Sequence, residues 1–129
     1  MHLNDITGAV VDEAIGIHRD LAANLFESVY EVLLAAALEQ RGLRVDRQRP
    51  INFSYKNIHI KDGFRADLIV EDLVIVELKS VDRLAPVHTK QILTYMRLAN
   101  LRVGLLLNFG AETMSKGIKR VVRDLPPSS

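Results

Sequence analysis

The chain has no cysteine, and that single absence removes disulfides, thiolate zinc sites, iron–sulfur clusters and cysteine nucleophiles together. Long apolar runs are missing as well. The longest, Val32 to Leu38, has seven residues, against the roughly 20 that a membrane-spanning helix needs. The opening Met1-His2-Leu3-Asn4-Asp5 lacks the basic-then-apolar layout of a secretory signal. A cytoplasmic protein with no membrane contact is therefore expected. Aromatic residues make up only 5% of the chain, which leaves little material for stacking single-stranded bases. Repeats and low-complexity tracts are absent.

What is present is globular. A chain of 129 residues, 48% hydrophobic and 26% charged, suits one domain that closes its own core. That domain is expected over residues 1–124, with residues 125–129 (Leu125-Pro126-Pro127-Ser128-Ser129) as a flexible tail. The net charge of +1 decides nothing, but its distribution is uneven: residues 1–40 carry seven acids and one base, residues 41–65 seven bases and two acids. Such a split would set a cation site beside a phosphate-attracting rim. Two oppositely charged, solvated faces are the plainer explanation.

From Asp5 to Leu21, the residues Ile6, Ala9, Val10, Ala14, Ile17 and Leu21 fall at helical spacing, with Asn4 or Asp5 as cap. A break at Ala22-Ala23-Asn24 ends this helix, because asparagine tolerates the left-handed conformation. A second helix is expected from Leu25 to Arg41, stopped by Gly42. The period then changes. Val45, Ile51, Phe53 and Tyr55 alternate with polar residues, and Lys56-Asn57 turns the chain into Ile58-His59-Ile60. Phe64–Val70 and Leu73–Leu78 read as strands joined around Glu71-Asp72. Pro86 opens a third helix that runs to Asn100. Val103–Phe109, apolar but for Asn108, reads as a strand covered on both faces, and Ser115–Val122 reads as a short basic helix. This order gives a mixed central sheet flanked by helices.

The hairpin holds the chemistry. Asp67, in Arg65-Ala66-Asp67, and Glu77 and Lys79, in Val76-Glu77-Leu78-Lys79, interrupt runs that otherwise read as buried strand. Buried charges must be neutralised by one another, by a metal or by solvent at a strand end. Glu77 and Lys79 are two apart and so share a face. A plain two-residue turn would set Asp67 opposite Val76, so both acids can share a face only if the connection has three residues or a bulge. Two carboxylates and an amine then make a site for a hard divalent cation, Mg²⁺ or Mn²⁺, with the lysine placed to hold a water. An ordinary cross-strand ion pair is the bland alternative. Gln91 and Tyr95 are neighbours on one helix face. Tyr30 and Tyr95 read equally well as core packing with a wet hydroxyl, and Glu31 is assigned to a solvated helix face in preference to a ligand. His18 is assigned to a surface or interhelix hydrogen bond rather than to a metal, and His59 and His88 are read the same way.

Six segments, in order, carry a resemblance: Leu25-Phe26-Glu27-Ser28-Val29-Tyr30-Glu31, Arg65-Ala66-Asp67, Val76-Glu77-Leu78-Lys79, Gln91-Ile92-Leu93-Thr94-Tyr95, Asn108-Phe109-Gly110 and Gly117-Ile118-Lys119-Arg120. Together they resemble the bacterial GxxExxY proteins of the PD-(D/E)xK nuclease superfamily, over about residues 4–123. Asn24 stands where that pattern has glycine. The resemblance implies an α/β fold with a restriction-endonuclease-like core and a divalent-metal-dependent nuclease that hydrolyses phosphodiester bonds. Asp67 and Glu77 are then the metal-binding acids, with the Leu78 carbonyl as an extra ligand and Glu27 completing the site directly or through water. Lys79 orients the attacking water, and Gln91 and Tyr95 support the site or touch substrate. Arg65, Lys119 and Arg120, with the basic 41–65 stretch, are expected to be phosphate contacts. The implied partner is nucleic acid, DNA ahead of RNA, with a homodimer left open as the way a small domain grips a duplex. A non-catalytic interaction or regulatory module on the same fold, and an enzyme for a small phosphorylated substrate, are the rival readings.

Overall fold

The computed structural model describes residues 2–22 and 25–124. The expected left-handed break at Asn24 and the flexible tail at 125–129 lie outside the described residues. The order of elements is α1 (Leu3–Leu21), α2 (Glu27–Gln40), β1 (Val45–Tyr55), β2 (Ile58–Val70), β3 (Val74–Lys79), α3 (Pro86–Ala99), β4 (Val103–Asn108), α4 (Met114–Gly117) and β5 (Ile118–Val122). The strands form one mixed sheet in the order β1-β2-β3-β4-β5, antiparallel except for the β3–β4 pair. The α/β class and the mixed sheet flanked by helices are as expected.

Alternation sorts the strand side chains into two cores. On one face Leu68, Val70, Val74, Val76, Leu78, Val103, Leu105 and Leu107 pack under α1 and α2, through Val10, Ala14, Leu34 and Leu38. On the other, Ile69, Ile75, Leu106 and Val121 pack under α3, through Ile92 and Met96. All six residues of β4 are buried, as the apolar run Val103–Leu107 predicts for a strand covered on both faces. Gly104 allows α3 to lie close, since a Cβ there would fall 2.9 Å from both Ile92 Cδ1 and Met96 Sδ.

Two expectations are corrected. Ser115–Val122 is not a helix: one helical turn ends at Gly117, and Ile118–Val122 pairs with β4 as an edge strand. The β-branched Ile118, Val121 and Val122 favour strand, and Gly117 is pressed on the end of β4, with no room for a Cβ 2.4 Å from Asn108 O. The first helix starts two residues early, with His2 as N-cap and no capping side chain. Asn4 and Asp5 therefore lie inside the helix.

The β2–β3 connection settles the register. Leu68, Ile69 and Val70 face Val76, Ile75 and Val74, so three residues, Glu71-Asp72-Leu73, make the turn. Glu71 and Asp72 both take positive φ, at 55° and 54°, and the Leu73 amide donates to Val70 O at 3.0 Å. That extra residue is what brings Asp67 alongside Glu77.

Candidate active site

Asp67 and Glu77 meet where β2 and β3 run side by side. Asp67 Oδ2 accepts a hydrogen bond from the Leu78 amide at 2.9 Å, so its carboxylate stands in for a rung of the ladder and is fixed in direction. Glu77 is 5% exposed, and its Oε1 is buried without a hydrogen-bond partner. Burial pushes the Glu77 carboxyl up to about 9; Asp67, by hydrogen bond and by charge, pushes the same way, and the Lys79 charge opposes them.

Lys79 follows on the same face and donates from Nζ to Gln91 Oε1 at 3.2 Å. Tyr95, one turn along α3 from Gln91, stacks on Phe64 at 4.1 Å between centroids. Its hydroxyl is held above the ordinary phenol range by burial first, then by the charges of Glu77 and Asp67. Asp67, Glu77, Lys79, Gln91 and Tyr95 thus lie close together, with the Leu78 backbone among them. Tyr95 supplies both core packing and a hydroxyl near the acids.

A second layer of polar groups comes from the other side of the sheet. Gln48, at φ 49°, stands at a break in the β1–β2 ladder, which pairs Arg47 with Leu68 and Arg49 with Ala66. Its Nε2 donates to Glu31 Oε1 at 2.5 Å and to Asp67 Oδ1 at 3.3 Å. Arg47 donates to Glu31 Oε2 from Nε at 3.2 Å and from Nη2 at 3.1 Å. Glu31 is 5% exposed, which overturns its assignment to a solvated face. It is the α2 carboxylate tied to the site, whereas Glu27, a turn earlier, is exposed. Helical spacing offered both glutamates. Arg47 and Gln48, sixteen and seventeen residues from Glu31, left no signal in the sequence as its partners.

The other named residues separate. Arg65 donates to Gln48 O at 3.3 Å and stands at the rim of the site. Lys119 and Arg120 point to opposite faces of β5: Lys119 lines a cavity with Pro86 and Lys90, and Arg120 reaches Asn4 Oδ1 on α1 at 3.3 Å. They do not form one phosphate patch with Arg65, because neighbouring strand residues diverge. Tyr30 is fully buried and stacks on Phe109 at 4.1 Å. Its hydroxyl is not wet: it donates to Ala22 O at 2.8 Å and accepts from the Leu25 amide at 3.2 Å, stapling the α1–α2 connection. His18 is buried too, and its Nε2 donates to Ala111 O at 2.8 Å, so it serves the loop after β4 rather than a surface or another helix. His88 Nδ1 accepts from the Ala85 amide, and His59 Nδ1 lies 2.7 Å from Ser54 Oγ.

Asn108 closes the back of the site. It is 1% exposed; its Oδ1 accepts from the Val81 and Gly110 amides, both at 3.0 Å, and its Nδ2 donates to Val81 O at 2.9 Å. The chain leaving Lys79 is thereby pinned.

Among the described residues no three His, Cys, Asp or Glu side chains gather as a metal cluster, and no helix is long and apolar enough to cross a membrane. A buried carboxylate oxygen with no partner, beside a second carboxylate, is nonetheless a donor set that fits a hard divalent cation. A family model described as the PD-(D/E)XK nuclease superfamily matches residues 4–121. Neither a curated protein nor a solved structure matches the chain.

Proposed function

The chain belongs to the PD-(D/E)XK nuclease superfamily, and from that membership we propose a divalent-metal-dependent nuclease of the GxxExxY branch, acting on DNA ahead of RNA. The observation that carries the reading is Glu77 Oε1, buried and unpartnered, next to Asp67 and followed by Lys79 on the same face. An orphaned buried carboxylate oxygen costs stability and calls for a ligand. Asp67, Glu77 and the Leu78 carbonyl would hold Mg²⁺ or Mn²⁺, with Glu27 acting through water. Bound there, the ion supplies Lewis-acid polarisation of the scissile phosphate and a more acidic water.

The chain's own groups do the rest. The Leu78 amide fixes the Asp67 carboxylate, so one acid is aimed before substrate arrives. The Lys79 ammonium, held by the Gln91 carbonyl oxygen, orients the attacking water and stabilises charge on the phosphoryl oxygens. Tyr95 borders the site with a neutral hydroxyl. Arg65 at the rim and Lys119 at the α3 end are phosphate contacts, which position without reading sequence. A second copy of the chain would supply a second grip on a duplex.

The test is cleavage of single- and double-stranded DNA and RNA with Mg²⁺, with Mn²⁺ and with neither, for the parent and for Asp67→Ala, Glu77→Ala and Lys79→Ala. Metal-dependent cutting lost in all three variants is the expected result. A parent that cuts none of the four substrates hands the chain to the interaction-module reading.

A further inference from the structure

The basic 41–65 stretch is not uniformly available to a polyanion. Arg41 pairs with Asp12 and Glu13, Arg44 and Arg49 with Asp46 and Asp72, and Arg47 with Glu31. Arg41 ties α2 to α1, Arg47 ties β1 to α2, and Arg44 and Arg49 hold the start of β1 to the β2–β3 turn. Among the described residues, Lys56, Lys61 and Arg65 are the bases of that stretch with no ion pair. All three sit on one piece of structure, the outer half of the β1–β2 hairpin.

That hairpin outgrows the sheet. β2 pairs with β3 through Leu68, Ile69 and Val70, and the rest of β2 has only β1 as a ladder partner. Measured along β1, from Pro50 opposite Arg65 to Lys56 at the turn, the ribbon extends about 20 Å, at roughly 3.3 Å per residue. Because β3 is antiparallel to β2, Lys79 lies at the end of the sheet from which the ribbon projects. The arm therefore rises beside the mouth of the site. Cross-strand pairs give it two faces: Phe53 with Ile60 and Tyr55 with Ile58 on one, Ser54 with His59 on the other. Asn52, Phe53, Ser54, His59, Ile60 and Lys61 line an open concavity of about 350 Å³ that draws on both faces. Tyr55 and Ile58, at 62% and 60% exposed, form the tip. The ladder is irregular between Ile51 and Phe53, where Asp62 takes φ 54° and Phe53 lies over Gly63, so close that a Cβ there would meet its Cε1 at 2.3 Å.

We propose that the outer half of this hairpin, residues 52–65, is an arm that grips double-stranded nucleic acid beside the cut, with Lys56, Lys61 and Arg65 as its phosphate contacts. The inference rests on the nuclease reading and adds the substrate class to it. A two-stranded ribbon has the width of the major groove. Cations spread along about 20 Å match a duplex, whose charge repeats along its axis, better than a single flexible strand held at one point. The arms of the sheet nearer the helices cannot do this, because their arginines are already neutralised.

The experiment uses the full chain and fluorescein-labelled mixed-sequence DNA, as a 20-base-pair duplex and as its single strand. Affinity is read by anisotropy without divalent metal, so that no cleavage enters the measurement. The parent is expected to prefer the duplex, and Lys56→Ala with Lys61→Ala together to weaken duplex binding tenfold or more and to lower the salt slope by about 1.8, for two lost phosphate contacts. Both lysines are exposed, so an unchanged melting temperature is expected and separates lost binding from lost fold. Unchanged duplex affinity in the double variant overturns the arm, as does a parent that binds the single strand as tightly as the duplex. Tyr55→Ser with Ile58→Ser covers the remaining occupant: if it converts a dimer to a monomer in gel filtration, the tip holds a second copy and the arm is refuted. Metal-dependent cleavage by the parent reports on the nuclease reading separately, so either conclusion can fail alone.

Discussion

Replacing Glu77 by Gln should stabilise the metal-free protein at neutral pH, although it removes a residue from the centre of the site. The Glu77 carboxyl is raised from its ordinary 4.5 to about 9, burial being the largest cause and Asp67 the next. Between those limits the folded chain binds a proton that the unfolded chain has released, so stability is full below about pH 4.5 and falls as pH rises toward 9. At 1.36 kcal/mol for each pH unit, the interval from 4.5 to pH 7 costs about 3 kcal/mol, an upper figure because water and local relaxation soften burial. Glutamine has the same shape and no proton to lose. Urea unfolding at pH 5, 7 and 9 in EDTA measures the effect. The parent should lose stability across the series, while Glu77→Gln should run nearly flat through that window and exceed the parent at pH 7 by one to about 3 kcal/mol. Equal slopes in the two proteins, or a glutamine variant less stable at pH 7, would refute the reasoning and show that Glu77 ionises freely in the fold. Millimolar Mn²⁺ should oppose the parent's loss above pH 7, since a cation replaces the proton on the same oxygens.

Three further outcomes are expected. Lys79→Ala keeps both acids, so calorimetry should still detect Mn²⁺ binding while single-turnover cleavage falls at least a hundredfold; cutting at the parent rate would place the chemistry elsewhere. Asn108→Ala strips the Val81 and Gly110 amides and the Val81 carbonyl of their partner, and urea unfolding should show a loss of about 2–4 kcal/mol; a loss under 0.5 would mean that water replaces the side chain without cost. Tyr30→Phe keeps the stack on Phe109 but removes the hydroxyl between Ala22 and Leu25, for about 1–2 kcal/mol by the same measurement, with faster proteolysis at the α1–α2 connection; an unchanged cleavage pattern would count against the staple.

Local rules carried most of the fold and half of the site, and the difference between the halves has a physical origin. Helical and strand periods are properties of neighbours in sequence, so α1, α2, α3 and β4 were readable from spacing alone. Asp67, Glu77 and Lys79 were readable because charge inside an apolar run is costly wherever the run ends up. β5 was not, because Lys116, Lys119 and Arg120 supply a helix-like polar face, and the decision belongs to the free edge of β4, which only the assembled sheet presents. Glu31 fails in the same way. Its helix position predicts solvent, and it is buried because Arg47 and Gln48 reach it from β1. Gln48 can do so only at a positive φ, a conformation glutamine adopts under compulsion from the surrounding ladder. A residue held in that state, with one amide nitrogen shared between Glu31 and Asp67, links the α1–α2 layer to the acid pair. Neither of its two carboxylates could be assigned to it from sequence, because neither contact follows a period; the strain at Gln48 is the local trace that the structure leaves of a site assembled from three separate segments.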